Sequence, residues 1–223
     1  MVKTITHQDS GTYFGDEKHL EASQTRSFGE MIFELLCEKM PSEKELALFE
    51  LILNLSIDHG PDAPSAVATI QAAKEGKTIS QALAAGISQI NSTHGGAIEP
   101  AMEILYSINN EQLTINKLVE EYIKKEKKIP GLGHRVYKDE DPRTKLIFSK
   151  LQEADMGEEF INLEQELQQE FEKQSGKHLP INIDGAIAVV LCTFGWPSKL
   201  SKAVFIIART PGLCGQFINH LVI

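Results

Sequence analysis

The sequence predicts an all-α protein, on three observations. Apolar residues recur at helical spacing along most of the chain, helix-start signals recur between them, and no apolar–polar alternation lasts more than a few residues. A short irregular or β-like segment comes first. Ser27-Phe-Gly-Glu30 then has the form of a capping box, in which a hydroxyl and a carboxylate each satisfy the other residue's backbone N–H. Phe28, Met31, Ile32, Leu35 and Leu36 follow with the spacing of one apolar helix face. Pro41 is expected to stop that helix. Ser42-Glu-Lys-Glu45 repeats the capping pattern before a second stripe at Leu48, Leu51, Ile52 and Leu55. A helix over 65–75 is expected to close at Gly76, the residue best suited to left-handed backbone. Thr78-Ile-Ser-Gln81 opens another, to about residue 91, and further helices are expected over 96–108 and 114–125. Asp141-Pro142 sets a side-chain acceptor at the cap and proline at the first helical position, so a helix runs from there to about 154. The pattern over 158–174 is helical again. After the polar break Ser175-Gly-Lys-His-Leu-Pro180 come apolar stretches over 184–194 and 200–208, and a last short helix is expected to start near Pro211.

At 223 residues the chain has the length of one generous domain, or of a main domain with a smaller lobe. Its 42% hydrophobic and 24% charged composition is a globular balance, which sets disorder aside. A net charge of −9 argues against a nucleic-acid partner, although a small polyanion needs only local positive charge. Cys37, Cys192 and Cys214 are scattered, form no CxxC pair and point to a reducing compartment. The opening MVKTITHQDSGTYFG has no apolar signal-peptide core, and no run approaches the ~20 apolar residues of a membrane span. The expectation is a cytoplasmic protein with no membrane contact. No metal site is expected, since no two histidines or cysteines fall at ligand spacing on one turn, and there is no phosphate-binding or dinucleotide glycine motif.

The polar chemistry gathers where helices begin or end. Asp58-His59-Gly60-Pro61, Ser92-Thr93-His94-Gly95-Gly96, Gly131-Leu132-Gly133-His134-Arg135 and Asn182-Ile183-Asp184-Gly185 each couple a titratable side chain to glycine, which lets backbone approach a ligand closely. Any one of these also reads as an ordinary helix terminus, and Asp184 also reads as a plain cap. Four in series carry more weight. The strings IDHGP (57–61), STHGGAIEP (92–100), PGLGHRVYKDEDPR (130–143), NIDGAIAV (182–189) and IIARTPG (206–212) resemble the citrate synthase superfamily over roughly residues 20–220. The IDHGP and NIDG forms look most like citryl-CoA lyases and the matching module of ATP-citrate lyase.

That resemblance implies a citrate synthase-like all-α fold, with a large helical dimerisation domain (1–94 and 189–223), a small helical domain (95–188) and an active site in the cleft between them. It implies an enzyme that makes or breaks the C–C bond between acetyl-CoA and oxaloacetate, with citryl-CoA cleavage favoured. The alternatives are a short citrate or 2-methylcitrate-like synthase and a non-catalytic CoA-binding relative. Asp184 corresponds to the base at the methyl carbon, His94 to the enol partner and His134 to the donor at the ketone or hydroxyl oxygen. His59, Arg143 and Arg209 correspond to groups binding substrate carboxylates, for which arginine is suited by its bidentate geometry. Pro130, Gly131, Leu132, Gly133, Arg135 and Lys138 are expected beside the coenzyme A moiety. Lys124, Lys125, Lys127 and Lys128 would add a basic rim, although lysines at a helix C-terminus are also favoured by its dipole. No permanently bound cofactor is expected, the CoA thioester being substrate. A homodimer or higher homo-oligomer is expected, and the resemblance leaves room for a separate citrate–CoA ligase subunit as a partner. Longer family members continue beyond the position of Arg209 to a further arginine that serves the neighbouring subunit. This sequence ends at Ile223, so that residue is expected to be missing, which tilts the expectation toward the lyase.

Overall fold

The computed structural model describes residues 4–91 and 95–221, and the chain divides into two compact units, residues 1–51 and 52–223. In the first unit, strands β1 (Ile5–Gln8), β2 (Gly11–Phe14) and β3 (Glu17–Lys18) form an antiparallel sheet in that order, with Ile5 opposite Phe14 and Tyr13 opposite Lys18. Helices α1 (His19–Thr25) and α2 (Phe28–Cys37) follow. The α2 capping box forms as expected: the Ser27 N–H donates to Glu30 at 2.6 Å and the Glu30 N–H donates to the Ser27 hydroxyl at 3.1 Å.

Two details of α2 differ from the sequence reading. The helix stops because Glu38 turns left-handed (φ 64°), before Pro41 is reached. Its buried face is Gly29, Ile32, Phe33 and Leu36, while Phe28 is 79% exposed and Leu35 is 37% exposed. Gly29 is the reason. A Cβ there would stand 2.8 Å from Cγ of Glu50, so the glycine side is the side that makes the close approach, and Phe28 turns outward. Residues 29, 32, 33 and 36 keep strict helical spacing, but the glycine hides the first position of the stripe.

Helix α3 (Glu43–Ser56) begins at the second capping box, with the Ser42 N–H donating to Glu45 at 2.8 Å. The second unit continues with α4 (Pro64–Lys74), α5 (Ile79–Ser88), α6 (Ile98–Asn109), α7 (Ile115–Lys124), α8 (Pro142–Glu153), α9 (Glu158–Ser175), α10 (Ile183–Thr193) and, after a 3-10 turn at Ser198–Leu200, α11 (Ser201–Asn219). Thr78 caps α5 through a capping box with Gln81, and Gly76 has φ 72°. Helix α10 is buried from Gly185 to Cys192, and α6, α8 and α9 pack around it. Burial of Val189, Val190 and Leu191 contributes roughly 1.5–3 kcal/mol per side chain. Helices α4, α5 and α11 pack together, with Ala63, Ala66, Ile70 and Leu213 in one buried cluster.

Pro211 does not start a helix. It lies inside α11, where proline removes a backbone hydrogen bond at a cost of ~3 kcal/mol. The helix continues because Leu213 and Phe217, beyond the proline, are buried against α4 and α5. Tertiary packing decides the element here.

Candidate active site

The loop 130–143 is tied to the segment 180–185 by three hydrogen bonds. The Gly133 N–H donates to Pro180 O at 2.7 Å, the Asn182 N–H to Gly131 O at 2.8 Å, and Asn182 Nδ2 to Gly133 O at 2.8 Å. Asn182 also caps α10, its Oδ1 accepting from the N–H groups of Asp184 (2.9 Å) and Gly185 (3.2 Å). One asparagine therefore fixes both the chain that leads to His134 and the helical turn that carries Asp184. Gly131 (φ 89°) and Gly133 (φ 87°) adopt backbone that glycine favours. At Gly131 the need is internal, since a Cβ would meet Glu164 and the Gly185 backbone.

His134 is held at one ring nitrogen. Its Nδ1 accepts from the N–H groups of Val136 (3.1 Å) and Tyr137 (3.0 Å), so the neutral ring carries its proton on Nε2. The Tyr137 ring stacks on the imidazole, with centroids 4.8 Å apart. Nε2 lies 3.2 Å from Nη2 of Arg143, and Nη1 of Arg143 lies 3.5 Å from Nδ1 of His59. Two donors, from His134 and Arg143, thus converge where an oxygen atom of a ligand would accept from both. Desolvation first, and then the Arg143 charge, push the pKa of both histidines below the ordinary 6.5, which keeps them neutral at pH 7.

Arg143 is oriented by Asp141, a fully buried carboxylate. Nε donates to Oδ1 at 3.0 Å, Nη2 to Oδ2 at 2.7 Å, and the Arg143 backbone N–H also donates to Oδ1 at 3.0 Å. Burial raises the Asp141 pKa, but these bonds outweigh it and hold the carboxyl below its ordinary value. The sequence reading gave Asp141 only as a cap and assigned nothing to Tyr137. The i, i+2 spacing of Asp141 and Arg143 across a proline helix start was the available signal for the first.

Arg209, on α11, is 5% exposed. Its Nε donates to Ser56 O at 2.8 Å, its guanidinium lies 4.8 Å from the Phe205 ring centroid, and Nη1 is buried with no hydrogen-bond partner. Desolvation lowers its pKa against the opposing pull of Asp58 and Asp184. Asp184 is half-buried. Desolvation raises its carboxyl pKa to about 6 against the lowering effects of Arg143 and Arg209. Arg143 thus acts electrostatically on His59, His134 and Asp184, and Arg209 on His59 and Asp184. His94 lies outside the described residues. Pro130 is half-buried, Leu132 is buried and bridges to Ile181, and Arg135 and Lys138 are exposed, with Lys138 Nζ donating to His134 O at 3.2 Å. Lys124, Lys125, Lys127 and Lys128 are exposed too, Lys125 paired with Glu121. Among the described residues no group of His, Cys, Asp or Glu is placed to hold a metal ion, and no helix is long and apolar enough to cross a membrane.

A neutral imidazole, a carboxyl whose pKa is raised to about 6 and two arginines are thus gathered on an all-α scaffold. The chain belongs to the citrate synthase family: the model for "Citrate synthase, C-terminal domain" matches residues 2–222. The solved citryl-CoA lyase from Hydrogenobacter thermophilus is 34% identical, with a TM-score of 0.91 over 100% of this chain and 87% of that one. The citrate synthase of Helicobacter pylori is 29% identical over 79% of this chain, and ATP-citrate synthase subunit 1 of Sordaria macrospora is 34% identical over 77%. The chain spans less than half the length of these two curated relatives, 44% and 28% respectively. The fold is therefore citrate synthase-like, as the motifs implied.

Proposed function

We propose that the protein is a citryl-CoA lyase, cleaving citryl-CoA to acetyl-CoA and oxaloacetate. Similarity along its full length to a solved citryl-CoA lyase is the observation that carries this reading, and the convergence of His134, Arg143, Asp184 and Arg209 supports it. In the direction of bond formation, the Asp184 carboxylate removes a methyl proton from acetyl-CoA and His94 holds the enol oxygen. The enolate carbon then bonds to the ketone carbon, whose oxygen takes the proton of His134 Nε2. Cleavage is the reverse. The hydroxyl proton returns to the His134 Nε2 position that gave it up, the hydroxyl becomes a ketone, the C–C electron pair returns to the acetyl fragment, and the Asp184 carboxylic acid protonates the carbon. One proton leaves oxygen and one arrives at carbon, so none is consumed.

A pKa of about 6 lets Asp184 serve in either role near neutrality. Arg143, Arg209 and His59 bind the carboxylates of oxaloacetate and citryl-CoA, and Arg143 with His134 stabilises charge on the reacting oxygen. Pro130, Gly131, Leu132, Gly133, Arg135 and Lys138 border the coenzyme. The segment 95–188 acts as a small domain that closes over the site and excludes water, which favours cleavage over thioester hydrolysis. The protein works as a cytoplasmic homodimer and takes citryl-CoA from a separate ligase subunit.

The test is purified protein with citryl-CoA, following oxaloacetate and free thiol together. Oxaloacetate release without free thiol, abolished by Asp184→Asn, is expected. Free CoA with citrate from acetyl-CoA and oxaloacetate would instead make it a synthase. No turnover in either direction, with wild type equal to Asp184→Asn, would remove the enzymatic reading.

A further inference from the structure

Glu164 of α9 is 1% exposed, and its Oε1 is buried with no hydrogen-bond partner. That atom sits in the hollow left by two glycines: a Cβ on Gly131 would stand 2.7 Å from it and a Cβ on Gly185 2.6 Å. Those glycines belong to the two segments stitched together by the Asn182 bonds, one leading to His134 and the other following Asp184. The Gly131 carbonyl oxygen crowds the same place, 2.8 Å from the Gly185 Cβ position. An ionised carboxylate here, without a cation, would carry an uncompensated desolvation cost. Burial raises its pKa from 4.5 to about 8, so at neutral pH the side chain is a carboxylic acid. An apolar side chain of similar volume would fill the space without that cost. A neutral carboxyl, unlike leucine, offers a donor and an acceptor to the backbone edge formed by Gly131 and Gly185.

We propose that Glu164 is a positioning residue: as an uncharged acid it locks the Gly131 loop against the first turn of α10 and so fixes His134 relative to Asp184. The kinetic part of this inference rests on the lyase reading. Glu164→Gln and Glu164→Leu separate positioning from packing, because both preserve volume and both remove the titration. With citryl-CoA as substrate, Glu164→Gln is expected to keep kcat within about threefold of wild type. Glu164→Leu is expected to lower kcat at least tenfold with KM within threefold, while its melting temperature equals or exceeds that of wild type. Histidine NMR on isotope-labelled protein, with the His134 signal identified through His134→Gln, supplies a readout that needs no turnover: the leucine variant shifts this signal and the glutamine variant leaves it in place. If wild type fails to turn over citryl-CoA, the lyase reading falls and the NMR result alone decides the role of Glu164. A leucine variant matching wild type in kcat, or in the His134 signal where turnover is absent, overturns the inference and leaves Glu164 as filling.

Discussion

Arg143 and Arg209 bring the same charge to the same site from surroundings that differ in kind. Arg143 lies part-buried in the first turn of α8 and arrives already neutralised, with Asp141 taking Nε and Nη2 and its remaining Nη1 near His59. Arg209 is buried in α11 with a single backbone carbonyl and an aromatic face for company, and one Nη group has no partner. Asp58 and Asp184 act on Arg209 electrostatically without a hydrogen bond to Nη1, so its desolvation cost is offset only in part. That cost is recovered when a carboxylate binds, so Arg209 has the larger differential interaction with an anionic ligand. Arg143 is the more rigid of the two and better placed to orient the reacting oxygen beside His134. Under the proposed function this contrast becomes a division of labour, with one arginine set for geometry and the other for affinity.

Four substitutions break or sharpen this contrast, in decreasing order of expected effect. Asp184→Asn leaves both arginines in place and removes the proton carrier, so turnover falls by about 10²–10⁴-fold. The same variant gains stability. The folded-state pKa of about 6 lies above the ordinary 3.8, so stability is fully present below 3.8 and is lost as pH rises through about 6. By pH 7 an asparagine, with nothing to ionise, recovers up to ~3 kcal/mol, which denaturant titration reads directly. The raised pKa also predicts that exchange of solvent deuterium into the acetyl-CoA methyl group falls about tenfold per pH unit below about 6, as the carboxylate is lost. Asp141→Ala strips the counter-charge from Arg143 and the cap from α8, and is expected to cost about 3–5 kcal/mol in unfolding free energy.

Arg209→Met behaves in the opposite way. Unfolding free energy holds or rises, because a desolvated charge is gone, whereas the KM for the carboxylate-bearing substrate rises by about 1.5–3 kcal/mol in equivalent free energy. If Asp141→Ala proves harmless and Arg209→Met unfolds the protein, the contrast is inverted and the assignment of roles fails. Lys138→Ala is the smallest change. Among the described residues its ammonium donates to the His134 carbonyl on an exposed loop, and stability should move by less than about 0.5 kcal/mol in a melt.

Helix starts were the most legible features of the sequence, because a cap is a local device. Ser27, Ser42, Thr78 and Asp141 all cap where their spacing predicts. Helix faces and ends were less legible wherever a distant partner decides them. Phe28 faces outward because Gly29 meets Glu50, and Pro211 is carried through α11 by Leu213 and Phe217. The candidate site residues came from motif resemblance; His94 lies outside the described residues, and the charges of Arg143 and Arg209 link the others. Their supports were less so: Asp141 left only its i, i+2 spacing to Arg143, and Tyr137 acts through stacking that no spacing announces. Glu164 left a trace, standing in the stripe Phe160, Ile161, Glu164, Leu167 as the charged residue at a core position.

The most direct test of the two-arginine account is a crystal structure of the Asp184→Asn protein with citryl-CoA. The account predicts one substrate carboxylate on the free Nη1 of Arg209, a second on Arg143, and the hydroxyl oxygen within hydrogen-bond distance of His134 Nε2. Citryl-CoA bound with its carboxylates away from both guanidinium groups, or with His134 turned to present Nδ1, would contradict it.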